Sequence, residues 1–509
     1  MVRRLMLHEE WSRKAKVKLL CPIVKTREQW GHRRSTPDSY SASIPAALTT
    51  LIPWERSDQD PGRTLVAIAC CPAPRRPNGH ESTALAHIVL LLARFEICWR
   101  NCTCYYKIAN YFIITTQNRR LIVIPCNSRA GKTVEQGTGY LAFIPADVPP
   151  TPPVAFDTAM IQLLSAADLA LGRLSGIAAL LPNPDLFVAM YVKKEAVLSS
   201  QIEGIDCTLD EVIAQEESDA GVQTKAIGEV VNYVNATNSG MERLKTLPLC
   251  LRLIREVHGH LMSGVRGEHK DPGEFRKTQN WIGPQGCTLA TATFVPPPVP
   301  DMNQALANLE LFLHDRTSLP LTIQCAIIHA QFETIHPFLD GNGRVGRLLV
   351  ALLLHERSVL KQPLLYMSLY LKLNRREYYE HLMAVRTHGE WEGWIKFFLI
   401  GLAAVSKEAA STAQNIVAFR EDALRRASKY GQHEIRLLDV LFAHPILDIR
   451  AAERHLGCTY ATAATAMKNL DAEGFVTEIT GQKRNKRFKF TGYLKYFEVD
   501  TITAAQDAV

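Results

Sequence analysis

This 509-residue chain lacks any hydrophobic run long enough to cross a membrane. The best candidate, residues 84–99, carries His87, Arg94 and Glu96, whereas a span needs about 20 apolar residues with few charges. No export leader is expected either: the first residues are charged (Arg3, Arg4, Glu9, Glu10, Arg13, Lys14) and no apolar run with a small-residue cleavage site follows. A soluble, cytoplasmic protein with no membrane contact is expected. Cysteine is sparse where the chain is best patterned. After residue 130 only Cys207, Cys250, Cys287, Cys325 and Cys458 occur, each alone, as for reduced thiols. No HExxH string is present. His329, seven residues before His336, therefore has no partners to complete the three-ligand set of a catalytic zinc. Ala130-Gly131-Lys132-Thr133 fails as a phosphate loop, because the position five before Gly131 is Cys126 where a glycine is needed.

A hydrophobic fraction of 47% with 21% charged residues excludes wholesale disorder and fibrous repeats, and the length suggests two or three domains. The formal charge of +7 is uneven. Residues 1–130 hold 20 basic and 9 acidic side chains, leaving a net of −4 for the rest. Residues 1–128 mix Arg, Cys, Trp and Pro without sustained periodicity, and their apolar runs, Tyr111–Thr116 and Leu121–Pro125, read as isolated. They are expected to be a basic extension, disordered or read from a non-native start, rather than a small domain that binds something acidic.

From Tyr140 the sequence becomes orderly. Pro149-Pro150-Thr151-Pro152-Pro153 reads as an extended linker. Helical periodicity begins near Asp157, with Leu163, Leu164, Ala167, Leu171 and Leu174 on one face, and returns at 188–201, 224–245, 248–264, 302–314 and 321–335. The expectation is a mainly α protein in three parts: an N-terminal helical region over 129–245, a catalytic core over 246–405, and a small module over 430–495. In that module three short helices precede a two-stranded segment, Phe475 to Tyr493, whose tip holds Lys483, Arg484, Lys486 and Arg487. This is the outline of a winged helix-turn-helix. A recognition helix over Thr459–Leu470, with cations from Lys483 to Lys489 on phosphates, would make DNA a partner. Protein docking or dimer formation is the other use of such a module.

The chemistry concentrates in His336-Pro337-Phe338-Leu339-Asp340-Gly341-Asn342-Gly343-Arg344-Val345-Gly346-Arg347. Pro337 stops the preceding helix at His336. Glycines permit close backbone approach, and the amides of Gly341, Asn342 and Gly343 open a new helix whose N-terminus suits phosphate oxygens. Arg344 and Arg347, three apart, can face one polyanion. Asp340 is the hard oxygen ligand that Mg²⁺ takes beside substrate phosphates. His336 is the one side chain here that changes protonation near neutral pH, as a general base does.

This string resembles the signature of the Fic (filamentation-induced-by-cAMP) family, His-Pro-Phe-x-(Asp/Glu)-Gly-Asn-Gly-Arg-x-x-Arg, at every specified position. The similarity extends over about residues 135–400 and includes Gly264-Val-Arg-Gly-Glu-His-Lys-Asp-Pro-Gly-Glu-Phe-Arg276, Gln279-Asn-Trp-Ile-Gly283 and Thr293-Phe-Val-Pro-Pro-Pro298. It implies a Fic-type helical bundle with a small flap hairpin. The implied activity is transfer of AMP from ATP, with Mg²⁺, to a Ser, Thr or Tyr hydroxyl of a target protein or of the chain itself. His336 would be the base and Asp340 the metal ligand, with the loop from Gly341 through Val345 and Gly346 cradling ATP and Arg344 and Arg347 on its β and γ phosphates. Phe338 would be core. Trp281–Phe294 would be the flap that aligns the target chain by strand addition.

Upstream, Ser199-Ser-Gln-Ile-Glu203-Gly204 resembles the family's inhibitory helix, in which the Glu pairs with the second motif arginine, here Arg347, and leaves ATP bound unproductively. Asn374-Arg-Arg-Glu377 reads as a capping-box-like helix start. Alternatively Asn374, Tyr378 and Tyr379 would border the adenine. Two other readings stay open: a DNA-binding regulator whose core senses ATP, and a hydrolase that removes AMP from modified targets.

Overall fold

The computed structural model describes residues 129–498 apart from 138, 181–183, 217–223, 266–268, 285 and 483–484, together with three strands upstream. Most of the basic extension lies outside the described residues, as do Arg266, Gly267, Glu268, Lys483 and Arg484. The described part is mainly α. Among its helices none is long and apolar enough to cross a membrane.

The two upstream runs that read as isolated are paired strands, β2 (Tyr111–Thr115) and β3 (Leu121–Pro125), and with β1 (Cys104–Ile108) they form an antiparallel sheet in the order β1-β2-β3. Their β-branched and aromatic residues carry strand propensity, but the cross-strand register is not a property of either run alone. A second hairpin joins β4 (Gly131–Glu135) to β5 (Leu141–Pro145), so the Gly131-Lys132-Thr133 string is strand.

The helices then follow in order: α1 (Thr158–Leu180), α2 (Pro184–Ile202), α3 (Leu209–Glu216), α4 (Lys225–Arg243), α5 (Leu251–Leu261), α6 (Val299–His314), α7 (Leu321–Ile335), α8 (Asn342–Glu356), α9 (Ser368–Leu373), α10 (Arg375–His388) and α11 (Trp391–Ala427). Every residue of α7 from Thr322 to Ile335 is buried. It is the central helix of the bundle, enclosed on all sides, and its buried polar residues include Gln324, His329, Gln331 and Glu333. The last carbonyls of a helix lack intrahelical partners, and α7 ends at His336 in the left-handed conformation (φ 49°, ψ 60°).

The boundary expected after residue 405 is not a helix break. α11 runs for 37 residues from the bundle into the C-terminal module and packs along α1. That module consists of α12 (Gln432–Ala443), β6 (Ile446–Asp448), α13 (Ile449–Leu456), α14 (Tyr460–Ala472), β7 (Thr477–Glu478), β8 (Arg487–Lys489) and α15 (Thr491–Glu498), with an antiparallel sheet in the order β6-β8-β7. Asp448 and Thr459 cap α13 and α14, their side chains accepting from Ala451 N and Thr462 N. Buried apolar residues from Val148 to Phe497 form one contiguous cluster, so the module shares its core with the bundle.

The module also bonds to the segment that follows α2. Lys489 Nζ reaches Asp210 at 2.6 Å and Glu498 at 2.7 Å, and Arg487 donates to the carbonyl of Ala214. Tyr191 on α2 meets Phe497 edge to face, 5.3 Å between ring centroids. Two of the cations expected to face DNA phosphates are thus engaged within the chain.

Candidate active site

The loop between α7 and α8 is held by its own side chains. Asn342 accepts from Phe338 N and donates to Phe338 O, both at 2.8 Å, closing the loop on itself. Phe338 is fully buried, and His258 of α5 stacks on its ring at 3.7 Å. His258 accepts from Gly273 N through Nδ1 at 2.8 Å, which leaves Nε2 to donate to Asp340 O at 3.1 Å. Gly341 caps α8 with φ 76°, and a Cβ there would lie 2.9 Å from Met262 Sδ. Only glycine combines that backbone with that closeness.

His336 is a non-glycine residue in left-handed conformation, which costs about 1–2 kcal/mol and persists only where the surroundings enforce it. Its carbonyl accepts from Arg276 Nε and Asn280 Nδ2, each at 3.1 Å. Its Nδ1 is enclosed and has no hydrogen-bond partner. Burial, with the charges of Arg386 and Arg276, lowers the imidazole pKa to about 3 against the opposing pull of Glu203. At neutral pH the ring is therefore uncharged, the form that accepts a proton.

Ser199, Glu203 and Arg347 come together, the pairing that the family resemblance implies. Arg347, on α8, donates through Nε to Ser199 Oγ at 2.8 Å, and through Nη2 to Ser199 O at 2.9 Å and Glu203 Oε1 at 2.7 Å. Burial alone would raise the Glu203 pKa, but the Arg347 charge and hydrogen bond, with Arg344 and His336, hold it below the ordinary value. Gly204 follows the end of α2 at φ 80°. The Glu203 carboxylate lies against Gly343: a Cβ on that glycine would be 2.1 Å from Oε1. An anion already lies at the helix N-terminus where the expected ligand is a phosphate.

Other placements differ from expectation. Arg344 is buried and pairs with Glu229 of α4 at 2.8 Å, 3.9 Å from Asp340, so its guanidinium is directed to α4 here. Val345 is core, and the Gly346 carbonyl accepts from His329 Nδ1 at 2.9 Å. His329 is fully buried, with Nε2 3.0 Å from Tyr378 OH. That makes His329 a core histidine, away from Asp340. Tyr378 is buried too and presents no open ring face, whereas Tyr379 is 41% exposed. Asn374 directly precedes α10, but its side chain donates to Tyr370 O at 3.0 Å rather than capping the helix. Among the described residues no cluster of three or more His, Cys, Asp or Glu could hold a metal alone. Asp340 is a single carboxylate with its side chain 39% exposed.

Four charged residues of the site gave no distinct sequence signal: Glu229, Glu333, Arg386 and Glu195. Glu333 Oε1 has no hydrogen-bond partner, and burial raises its pKa to about 7 despite Arg347 and Arg386 nearby. Arg386 donates to Glu333 O at 3.0 Å and covers the Phe294 ring at 4.2 Å. Glu195, two turns before Glu203, accepts from Ser368 N at 3.1 Å and is likewise raised to about 7 by burial. A buried, non-glycine acidic residue in an apolar helix was the available clue for Glu333, and it does not name a partner.

Comparison with known proteins places these features. Residues 161–242 match the Fic/DOC family N-terminal model and residues 248–354 the Fic/DOC family model. A protein adenylyltransferase Fic of Drosophila grimshawi is 28% identical over 224 residues, covering 40% of this chain and 41% of that protein. One of Culex quinquefasciatus is 29% identical over 207 residues, covering 38% and 37%. The chain thus spans about two fifths of the length of these curated relatives. A Fic family protein from Desulfovibrio desulfuricans aligns in structure with a TM-score of 0.44 at 22% identity, covering 67% of this chain and 98% of that one. Residues 161–242 and 248–354, which carry the loop, the Arg347–Glu203 pair and Glu229, are thus the part of the chain that is similar to the Fic/DOC family.

Proposed function

We propose that this chain is a protein adenylyltransferase that moves AMP from ATP to a hydroxyl group of a protein, and that Glu203 on Arg347 restrains it. The observation that carries the reading is the anion-lined helix N-terminus beside a neutral imidazole: Glu203 at Gly343 and Arg347, with His336 across the loop. In the reaction the target hydroxyl oxygen bonds to the α-phosphorus while the bond to the β-phosphate breaks. The hydroxyl proton passes to His336, and pyrophosphate leaves. Amides of Gly341, Asn342 and Gly343 stabilise the phosphate charge. Arg347, once parted from Glu203, offers its planar fork to phosphate oxygens. Asp340 would hold Mg²⁺, an ion that needs only one or two carboxylates beside phosphate, and the ion would neutralise charge developing there. A pairing of carboxylate with guanidinium competes directly for the donors a γ-phosphate would use.

Incubation of wild type, Glu203→Gly and Glu203→Gly/His336→Ala with α-labelled ATP and Mg²⁺, read by intact mass, tests this. One added AMP on the single variant and none on the double is expected. No label on any of them, with ATP still bound, would transfer the reading to an ATP-sensing regulator.

For the C-terminal winged-helix module a docking role within the chain is favoured over DNA contact by one observation, the engagement of Lys489 with Asp210 and of Arg487 with Ala214. Retention on a DNA column that weakens steeply with salt would count against it.

A further inference from the structure

Arg276 is 1% exposed, and among the described residues it has no carboxylate within ion-pair distance. Its donors go instead to backbone carbonyls: Nε to His336 O at 3.1 Å, Nη1 to Thr278 O at 3.2 Å, and Nη2 to Pro297 O. Its own amide donates to Pro337 O at 2.9 Å. Asn280 adds a second grip, Nδ2 lying 3.1 Å from His336 O and 2.9 Å from Phe338 O. Thr278 and Pro297 bracket the flap, whose two sides meet at Ile282 and Phe294 through amide–carbonyl bonds of 2.8 and 3.0 Å. One guanidinium therefore binds both ends of the flap and the carbonyl of the residue that would act as base.

We propose that Arg276 and Asn280 are positioning residues, which fix His336 in its left-handed conformation and set its distance from a chain aligned on the flap. The inference rests on the transferase reading above. A planar fork of five donors suits several carbonyls at once, and a lysine, with one point of attachment, does not. A buried cation is costly where uncharged donors would serve. Its retention here has an electrostatic consequence as well: Arg276 and Arg386 flank the imidazole with positive charge, against the Glu203 carboxylate just past α2 and a backbone hydrogen bond with Glu333. If the flap and the base form one unit, a hydroxyl presented by the flap meets the accessible edge of the imidazole without a further search. Misplacement by about 1 Å at such a site costs on the order of 10²-fold in rate.

The test compares Arg276→Lys, Arg276→Gln and Asn280→Ser in full-length Glu203→Gly protein. Three readings are taken: AMP transfer from α-labelled ATP, thermal melting, and the side-chain NMR resonances of His336 across pH. Both Arg276 variants are expected to lower kcat by roughly 10²-fold with KM for ATP changed by less than about twofold. Arg276→Gln, which removes the charge, is expected to move the His336 titration upward, and Arg276→Lys, which keeps it, is not. Asn280→Ser, the milder change, is expected to shift the His336 ring resonances and lower kcat even if an Arg276 variant fails to fold. Folded variants with parental kcat and parental His336 resonances would overturn the proposal. So would a fall of kcat and ATP affinity in parallel with melting temperature, with His336 resonances unmoved. A Glu203→Gly parent that transfers no AMP would instead sink the transferase reading, while the resonances of Asn280→Ser still decide the positioning of His336.

Discussion

The Glu203 carboxylate occupies the space that the side chain of residue 343 would fill, 2.1 Å from where a Cβ would stand on Gly343, while bonding Arg347 at 2.7 Å. Glycine at 343 and glutamate at 203 are therefore one fitted pair. Gly343→Ala is expected to destabilise the wild type by about 1–3 kcal/mol, the usual range for overpacking. In a Glu203→Gly background the same change is expected to cost much less. A double-mutant cycle by denaturant unfolding reads the coupling, and additive costs would show that the carboxylate does not lie against residue 343.

Removing the carboxylate alone has a functional outcome. Glu203→Gly frees the Arg347 fork, and automodification is expected to rise by about tenfold or more. Label incorporation under saturating ATP checks this, and a rate unchanged from wild type would show that the pair does not limit turnover.

The loop closure by Asn342 is open to a stability measurement. Asn342→Ala leaves the buried amide of Phe338 without its partner, while the carbonyl keeps Asn280 Nδ2 at 2.9 Å, with an expected loss of about 1–3 kcal/mol. A loss below 1 kcal/mol, measured by chemical unfolding, would mean that the loop keeps its shape by other contacts.

Two opposing sets of groups shape the pH dependence of stability. Burial lowers His258 and His329 to about 4. Their native forms stay neutral while the unfolded chain takes up protons below about 6.5, so stability falls as pH falls through that window. Glu195 and Glu333, raised to about 7, act in the other direction. The native state holds protons that the unfolded chain lacks above about 4.5, so stability is regained as pH falls from 7. With His336, lowered to about 3, three histidines oppose two glutamates between about pH 6.5 and 4.5, so the compensation is partial and stability still falls with pH there. Glu333→Gln removes one compensating proton. The variant is expected to lose up to about 1.4 kcal/mol more per pH unit than wild type in that window, and parallel curves for the two proteins would refute the assignment.

Lys489 ties the C-terminal module to Asp210. Lys489→Ala removes a partly exposed ion pair of about 0.2–1 kcal/mol. Amide exchange over residues 206–216 is expected to quicken by up to about fivefold, with the bundle unaffected. Unchanged exchange would show that the tie does not hold α3.

The sequence made the site loop legible because its parts are neighbours: His336, Asp340, the glycines and both arginines lie within one turn-loop-turn. Ser199 and Glu203 were legible through their helical spacing and the family resemblance. What stayed hidden depends on long-range pairing. Arg344 meets Glu229, 115 positions away, and Arg386 meets Glu333 O, 53 positions away. No local pattern announces which of many carboxylates a buried guanidinium will face. Tyr378 shows the same limit from the other side: its ring is a plausible stacking face in the sequence, and the packing of α10 on α7 and α11 encloses it. The strands upstream of residue 129 were missed because each has only five residues, too few for alternation to register.

Glu203 and Arg347 belong to the same chain, and α2 and α8 are rigid helices in one shared core. Their encounter is unimolecular. The effective concentration of the carboxylate at the guanidinium is set by the scaffold and does not change on dilution. The fraction of molecules in which the pair is closed is thus the same at nanomolar and micromolar protein. Under the function proposed above, dilution of a single chain would neither relieve nor deepen the restraint, whereas a ligand that binds Arg347 better than Glu203 does would relieve it.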